Sequence, residues 1–187
     1  MRAGPAAPAA AAAERPLRLF CALRLPEETV ARVGAWQERW LRGGRPVPPG
    51  NLHLTLAFLG SRPATAVAAV TEALASAAAA AGDVRLVLHD YVETRRVGML
   101  RFDDERGEAG ALAGRLADSL EALGLLRGGA RPWIPHLTVL RFAARPRLDP
   151  PLPELGVVSP SDAAVYSSAL RPDGARYEIL EAMALGG

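Results

Sequence analysis

The spacing of apolar residues along the chain predicts three amphipathic helices. Apolar side chains recur at helical intervals from about Pro26 to Arg42, from Pro63 to Ala81, and from Glu108 to Leu123. The first helix has proline in its opening turn, followed by two glutamates next to the positive end of the helix dipole. These features are typical of a helix N-terminus and fix where the first helix begins.

Shorter apolar runs between the helices predict strands. We expect them at 17–25, 52–59, 84–91 and 97–102 and from residue 136 onwards, with Gly60 ending the second. Near the C-terminus the runs DAAVYSSAL and ARYEILEAM flank Arg171-Pro172-Asp173-Gly174, which predicts a turn and hence a hairpin. Helices combined with hairpins predict an α+β fold with antiparallel sheet rather than a doubly wound parallel sheet.

Length and composition predict one folded unit behind a short extension. The 187 residues suit one domain or two small lobes. Residues 1–16 are rich in alanine and proline and lack an apolar signal-peptide core, so we expect a disordered extension, a folded domain over 17–187 and a cytoplasmic protein. The single cysteine, Cys21, excludes an internal disulfide and is expected to be a buried thiol. No apolar run approaches the roughly 20 residues of a membrane span.

The charge of the chain limits the ligands to consider. The net charge is only +2, which argues against a dense basic face for non-specific nucleic-acid binding. All 22 basic residues are arginine, so any bound anion meets a planar and permanently charged group.

Two of the three histidines lie in the same tripeptide, His-Leu-Thr, at 53–55 and 136–138. Side chains two residues apart in a strand point to the same face. His53 and Thr55 should therefore share one face, with leucines behind them, and His136 and Thr138 should do the same. A single copy would also suit a half-exposed strand with two polar residues in water, but two copies favour a paired site.

Paired imidazoles and hydroxyls suit chemistry at phosphorus. Imidazole has a reference pKa of about 6.5, so one histidine can act as base while the other acts as acid near neutral pH. Threonine hydroxyls can donate hydrogen bonds to phosphate oxygens. The pattern thus predicts in-line displacement without a metal, and the symmetry leaves open which histidine gives the proton. A zinc site is a weaker alternative, because the motifs supply no cysteine or nearby carboxylate.

Two residues near the second motif have alternative interpretations. Arg141 follows His136 by five positions, where the first copy has Phe58. Strict alternation puts Arg141 on the wrong face, so it is either a surface residue or a phosphate ligand re-aimed by a bulge. Trp133 is either a packed loop aromatic or a platform for base stacking.

The sequence resembles the 2H phosphoesterases, in particular their bacterial RNA 2′,3′-cyclic phosphodiesterase branch, also known as 2′-5′ RNA ligase or LigT-like proteins. The resemblance covers nearly all of residues 17–183, through RLFCALRLPEE, VPPGNLHLTLAFLG, RPWIPHLTVLR and VYSSALRPDGARYEIL. It implies a bilobal fold in which two pseudo-symmetric lobes line a central cleft with antiparallel sheets and carry their helices outside. It also implies hydrolysis of a terminal 2′,3′-cyclic phosphate to a 2′-phosphate, related to joining RNA ends through a 2′-5′ linkage.

The resemblance also implies a role for each residue of the two motifs. His53 would donate a proton to the leaving 3′ oxygen, His136 would accept one from water, and Thr55, Thr138 and Arg141 would hold the phosphate. We expect a monomer acting on RNA ends or nucleotides without metal, cofactor or membrane. Two alternatives stay open: the same chemistry on a small cyclic nucleotide or 2′-5′-linked oligonucleotide, and an RNA-end-binding module without turnover.

Overall fold

A computed structural model describes residues 16–127, 132–171 and 174–186. Residues 1–15 of the predicted extension lie outside the described residues, and so do Pro172 and Asp173 of the predicted turn.

The three predicted helices are all present, and each is shorter than predicted by one to three residues at one or both ends. They are α1 (Glu27–Trp40), α2 (Ala66–Ala79) and α3 (Glu108–Ala122). Their buried positions follow the predicted spacing, as in α3, where Leu112, Leu116 and Leu120 are fully buried. None of the helices in the described ranges is long and apolar enough to cross a membrane.

The strands follow the predicted runs and add two short ones. They are β1 (Leu17–Arg24), β2 (Arg45–Pro46), β3 (His53–Arg62), β4 (Leu86–Glu93), β5 (Val97–Asp104), β6 (His136–Arg141), β7 (Val157–Val158), β8 (Asp162–Arg171) and β9 (Gly174–Ala184). The two-residue strands β2 and β7 are too short to leave a periodic signal. Gly60 does not end β3, because with φ of +72° it forms an irregularity in the strand, after which Ser61 and Arg62 still pair with β1.

The strands form one antiparallel sheet with an internal symmetry. Their order in the described part of the chain is β7-β4-β5-β6-β3-β1-β8-β9, with β2 paired to the side of β6. The halves, β7-β4-β5-β6 and β3-β1-β8-β9, correspond at their centre, where α1 lies in the chain between the neighbouring strands β1 and β3, and α3 lies between β5 and β6. The halves meet where Leu54 of β3 pairs with Leu137 of β6. The α+β fold with antiparallel pairing is as predicted, and the two predicted lobes share a single curled sheet.

The leucine faces of β3 and β6 belong to the main hydrophobic core. Leu54 and Leu137 are fully buried, together with Leu74 of α2 and Leu116 of α3. Burying apolar side chains on one face leaves the alternate side chains of the same strands to the other face. Cys21 is buried as predicted, and burial raises the pKa of its thiol to about 12, so it stays protonated at neutral pH.

Candidate active site

The two repeated motifs line one cleft of about 480 Å³. The structure places His53, Thr55, His136, Thr138 and Arg141 on its walls. The pairing of Leu54 with Leu137 puts the strands antiparallel at the junction of the two halves of the sheet. In that register the Thr138 side of β6 lies opposite His53, and the His136 side lies opposite Thr55. The imidazoles therefore alternate with the hydroxyls around the site.

Both histidines are oriented in the same way. Nδ1 of His53 lies 2.8 Å from the carbonyl oxygen of Asn51, and Nδ1 of His136 lies 2.9 Å from that of Ile134. A carbonyl oxygen only accepts, so Nδ1 carries the hydrogen in both rings. In each ring Nε2 is the nitrogen left to exchange a proton with a substrate.

The environments of the two histidines differ, although their sequences match. His53 packs against an aromatic cluster, with its ring centroid 4.9 Å from that of Phe20 and 5.4 Å, edge to face, from that of Tyr177. Burial lowers the pKa of His53 from 6.5 to about 4; the positive charges of Arg141 and His136 act in the same direction, while the bond to Asn51 opposes them. This pKa makes His53 neutral at pH 7.

Arg141 reaches the cleft because β6 contains a bulge. Met99 of β5 pairs with Thr138, and the next residue, Gly98, pairs with Leu140, so Val139 has no partner on β5. The extra residue reverses the alternation and turns Arg141 to the face of His136. Its guanidinium is near enough to His53 to lower the pKa of that ring. Of the two interpretations of Arg141, the geometry favours the phosphate ligand.

The bulge in β6 is held from behind by a buried amide. Gln37 of α1 is 2 % exposed, and its Nε2 donates to the carbonyl oxygen of Val139 at 2.6 Å and to that of Val47 at 3.1 Å. The backbone amide of Val47 donates to the same carbonyl of Val139. These bonds satisfy a carbonyl in the interior and fix the backbone from which Arg141 projects.

A second bulge, in β3, occupies the equivalent position in the other half of the sheet. Ala22 of β1 pairs with Thr55, and Cys21 pairs with Ala57, which leaves Leu56 without a partner on β1. Phe58 is thereby turned into the cleft at the offset that Arg141 has in β6. The two halves therefore present an arginine and a phenylalanine at equivalent positions.

Trp133 does not line the cleft. Its indole Nε1 donates to the carbonyl oxygen of Thr55 at 2.8 Å, and its ring packs against the main core. The side chain joins the loop before the second motif to the backbone of the first. Of its two interpretations, this geometry favours the packed loop aromatic over the base-stacking platform.

Comparison with known proteins identifies the family of the chain. The family model described as the 2′-5′ RNA ligase superfamily matches residues 25–170. The chain belongs to this superfamily. The RNA 2′,3′-cyclic phosphodiesterase of Thermus thermophilus is 35 % identical to it over 184 residues, with 91 % of each chain covered.

Two further relatives from Escherichia coli agree with this assignment. The RNA 2′,3′-cyclic phosphodiesterase of that organism is 32 % identical over 180 residues, covering 91 % of this chain and 97 % of the relative. The crystal structure of E. coli LigT complexed with 3′-AMP superposes with a TM-score of 0.79 at 29 % identity, covering 92 % of this chain and 99 % of that one. The superfamily fold thus extends over nearly the whole chain.

The cleft of this superfamily member also contains residues that the sequence motifs did not indicate. Among them are Arg18 of β1, Arg45 of β2, Asn51 before β3, and Tyr177 of β9. Arg45 pairs across strands with Arg141, and none of the described residues lining the cleft is acidic. Arg18 could have been found from the alternation of β1, since it shares a face with Phe20, whereas Tyr177 depends on where the C-terminal hairpin folds.

Proposed function

We propose that this protein hydrolyses a terminal 2′,3′-cyclic phosphate on RNA to a 2′-phosphate, by metal-independent acid–base catalysis with two histidines. One observation carries the proposal: two imidazoles from symmetry-related strands present Nε2 to a single cleft that also contains Arg141. The names of the relatives support the same reaction. Their structures with 3′-AMP and with phosphate support a cleft that admits a nucleotide and a phosphate group.

In the proposed reaction Nε2 of His136 accepts a proton from water, and the oxygen of that water attacks phosphorus. The bond from phosphorus to the 3′ oxygen breaks on the opposite side, and Nε2 of His53 supplies the proton that this oxygen takes up. Thr55, Thr138 and Arg141 donate hydrogen bonds to the non-bridging oxygens, where negative charge is concentrated. The product is a 2′-phosphate with a free 3′ hydroxyl.

The donor role of His53 requires a proton that the surrounding protein does not favour, because burial lowers its pKa to about 4. A bound phosphate places negative charge beside the ring and pairs with Arg141. Both effects favour the protonated imidazole. We infer that His53 takes up its proton as the substrate binds, so that substrate binding generates the general acid.

This inference predicts a difference between two pH profiles. The lower limb of kcat/KM, which reports the free enzyme, should end near pH 4, because His53 loses the proton that it must donate as the pH rises through its pKa. The lower limb of kcat should lie at higher pH, because bound phosphate raises the pKa of His53. Steady-state rates between pH 3.5 and 9 measure both limbs. A lower limb of kcat/KM near pH 6.5 would contradict the depressed pKa of His53.

The decisive experiment for the function is product identification. We expect the protein to convert an RNA with a 2′,3′-cyclic end to the 2′-phosphate in the presence of EDTA, with both phosphate isomers available as chromatographic standards. A 3′-phosphate product would contradict the assignment of the leaving oxygen. Activity lost in EDTA and restored by one divalent metal would contradict metal independence, and binding without turnover would favour the RNA-end-binding module.

The same leaving group would serve a joining reaction. If the 5′ hydroxyl of a second RNA replaced water, attack on the cyclic phosphate would form a 2′-5′ linkage while the 3′ oxygen left as before. The proposal therefore includes reversible 2′-5′ ligation as a secondary activity. It further includes a monomeric enzyme that acts in the cytoplasm without a cofactor.

A further inference from the structure

Arg18 lies in the part of the cleft farthest along β1 from the two motifs. The side chains of β1 that alternate on the cleft face include Ala22, which pairs with Thr55, and then Phe20 and Arg18. Arg18 lies four residues before Ala22 on the strand, which is about 13 Å at the usual strand rise. The exposed ring of Phe58, with the small exposed part of the buried Phe20, forms an aromatic surface between the motif residues and Arg18.

The guanidinium of Arg18 is held in place by an aromatic ring. Its Cζ lies 5.1 Å from the centroid of Phe58, whose side chain is 51 % exposed and turned into the cleft by the bulge in β3. Stacking on a ring limits the rotamers of an arginine while leaving the edge of the guanidinium free to donate hydrogen bonds. Ser168 of β8 pairs across strands with Arg18 and also lines the cleft, and its hydroxyl donates to the backbone carbonyl oxygen of Arg18 at 3.4 Å.

We propose that Arg18 binds the phosphodiester that precedes the terminal nucleotide of an RNA. This rests on the proposed function, which places the cyclic phosphate between His53 and His136. The ribose and base of the terminal nucleotide then lie along the aromatic surface, and the chain leaves the cleft past Arg18. The guanidinium of Arg18 lies over Phe58, which pairs with Phe20, two residues nearer the motifs than Arg18 itself. Arg18 thus selects the end of an RNA chain over a cyclic mononucleotide.

The local charge of the cleft supports an extended anionic ligand. The whole chain has a net charge of only +2, yet Arg18 and Arg141 both line this cleft and no acidic residue does so among those described. One arginine suffices to hold the reacting phosphate. A second arginine at a distance from it suits a ligand that carries a further phosphate.

The test compares two substrates and two arginine variants. The substrates are a nucleoside 2′,3′-cyclic phosphate with no other phosphate and a tetranucleotide that ends in the same cyclic nucleotide. Arg18→Gln is the test variant. Arg39→Gln is the matched control, because Arg39 stacks on Trp40 at the same 5.1 Å but is not among the cleft-lining residues.

We expect Arg18→Gln to raise KM for the tetranucleotide by about 10-fold, the usual effect of losing a hydrogen bond to a charged group. Its kcat, and both constants for the mononucleotide, should stay as in the wild type. The slope of log KM against log salt concentration for the tetranucleotide should decrease by about 1, because one phosphate contact is lost. Arg18→Lys should recover part of the loss. Arg39→Gln should leave kcat and KM unchanged for both substrates.

Equal effects of Arg18→Gln on the two substrates, or no effect on either, would overturn the proposal, and so would the same selective loss in Arg39→Gln. Unchanged melting temperatures show that each variant is folded. If the wild type turns over neither substrate, the proposed function itself fails. If it turns over both but Arg18 does not discriminate between them, only the phosphodiester subsite fails.

Discussion

Replacing either cleft histidine by alanine should reduce hydrolysis of an RNA 2′,3′-cyclic phosphate by about 10³-fold or more. General acid–base catalysis by a positioned side chain contributes about 10²–10⁴-fold. In the proposed mechanism His53 and His136 act on different protons of the same step, so neither can replace the other. The rate of each variant is measured under single-turnover conditions, where product release does not mask the chemical step.

The chain supplies a matched control in its third histidine. His89 lies on β4, where its Nδ1 is 3.0 Å from a carboxylate oxygen of Asp103, and it is not among the cleft-lining residues. His89→Ala should keep wild-type activity. Full activity in His53→Ala or His136→Ala, with circular dichroism showing a folded protein, would contradict two-histidine catalysis.

A modified substrate separates the roles of the two histidines. If sulfur replaces the 3′ bridging oxygen, the leaving group is a thiolate, which departs without a proton far more readily than an alkoxide. His53→Ala should then regain much of its lost activity, while His136→Ala should stay inactive because water still needs a base. Recovery of the His136 variant instead would show that the roles are reversed.

The fold and the central residues of the site could be predicted from the sequence because both depend on short-range periodicity. The alternation of leucine with histidine and threonine in β3 gives one buried and one cleft-facing side, and the structure has Leu54 fully buried while His53 and Thr55 line the cleft. The repeat of the motif predicted that the two sets would meet. The pairing of Leu54 with Leu137 brings them together.

The remaining parts of the site depend on register, which periodicity does not reveal. The unpaired Val139 and Leu56 reverse the alternation in their strands, and only then do Arg141 and Phe58 face the cleft. The bulge in β6 is fixed by Gln37, a residue about a hundred positions away. No local pattern in the sequence around Arg141 indicates that contact.

The difference between the two histidines likewise comes from distant residues. The motifs match, but only His53 packs against Phe20, Tyr166 and Tyr177, which come from β1, β8 and β9. That burial lowers the pKa of His53. The chemical asymmetry of the site therefore arises where the C-terminal hairpin covers one half of a symmetric sheet.

Arg141→Ala should lower kcat by about 10²–10³-fold, which is the usual effect of removing one donor that stabilises developing negative charge. Arg141→Lys should recover only part of this loss, because an ammonium supplies charge without the planar fork that matches two phosphate oxygens. Arg106→Ala, which removes an exposed ion pair with Asp83 at 2.9 Å, serves as the control and should have no effect.

The same variant should also change the pH dependence. The positive charge of Arg141 lowers the pKa of His53, so its removal should raise that pKa and move the lower limb of kcat/KM to higher pH. Arg141→Lys keeps the charge and should leave the limb close to its wild-type position. A loss of kcat with an unmoved limb in Arg141→Ala would mean that the guanidinium lies too far from His53 to share a phosphate with it. A moved limb with unchanged kcat would mean that it takes no part in the transition state. Only both effects together support one phosphate held between Arg141 and His53.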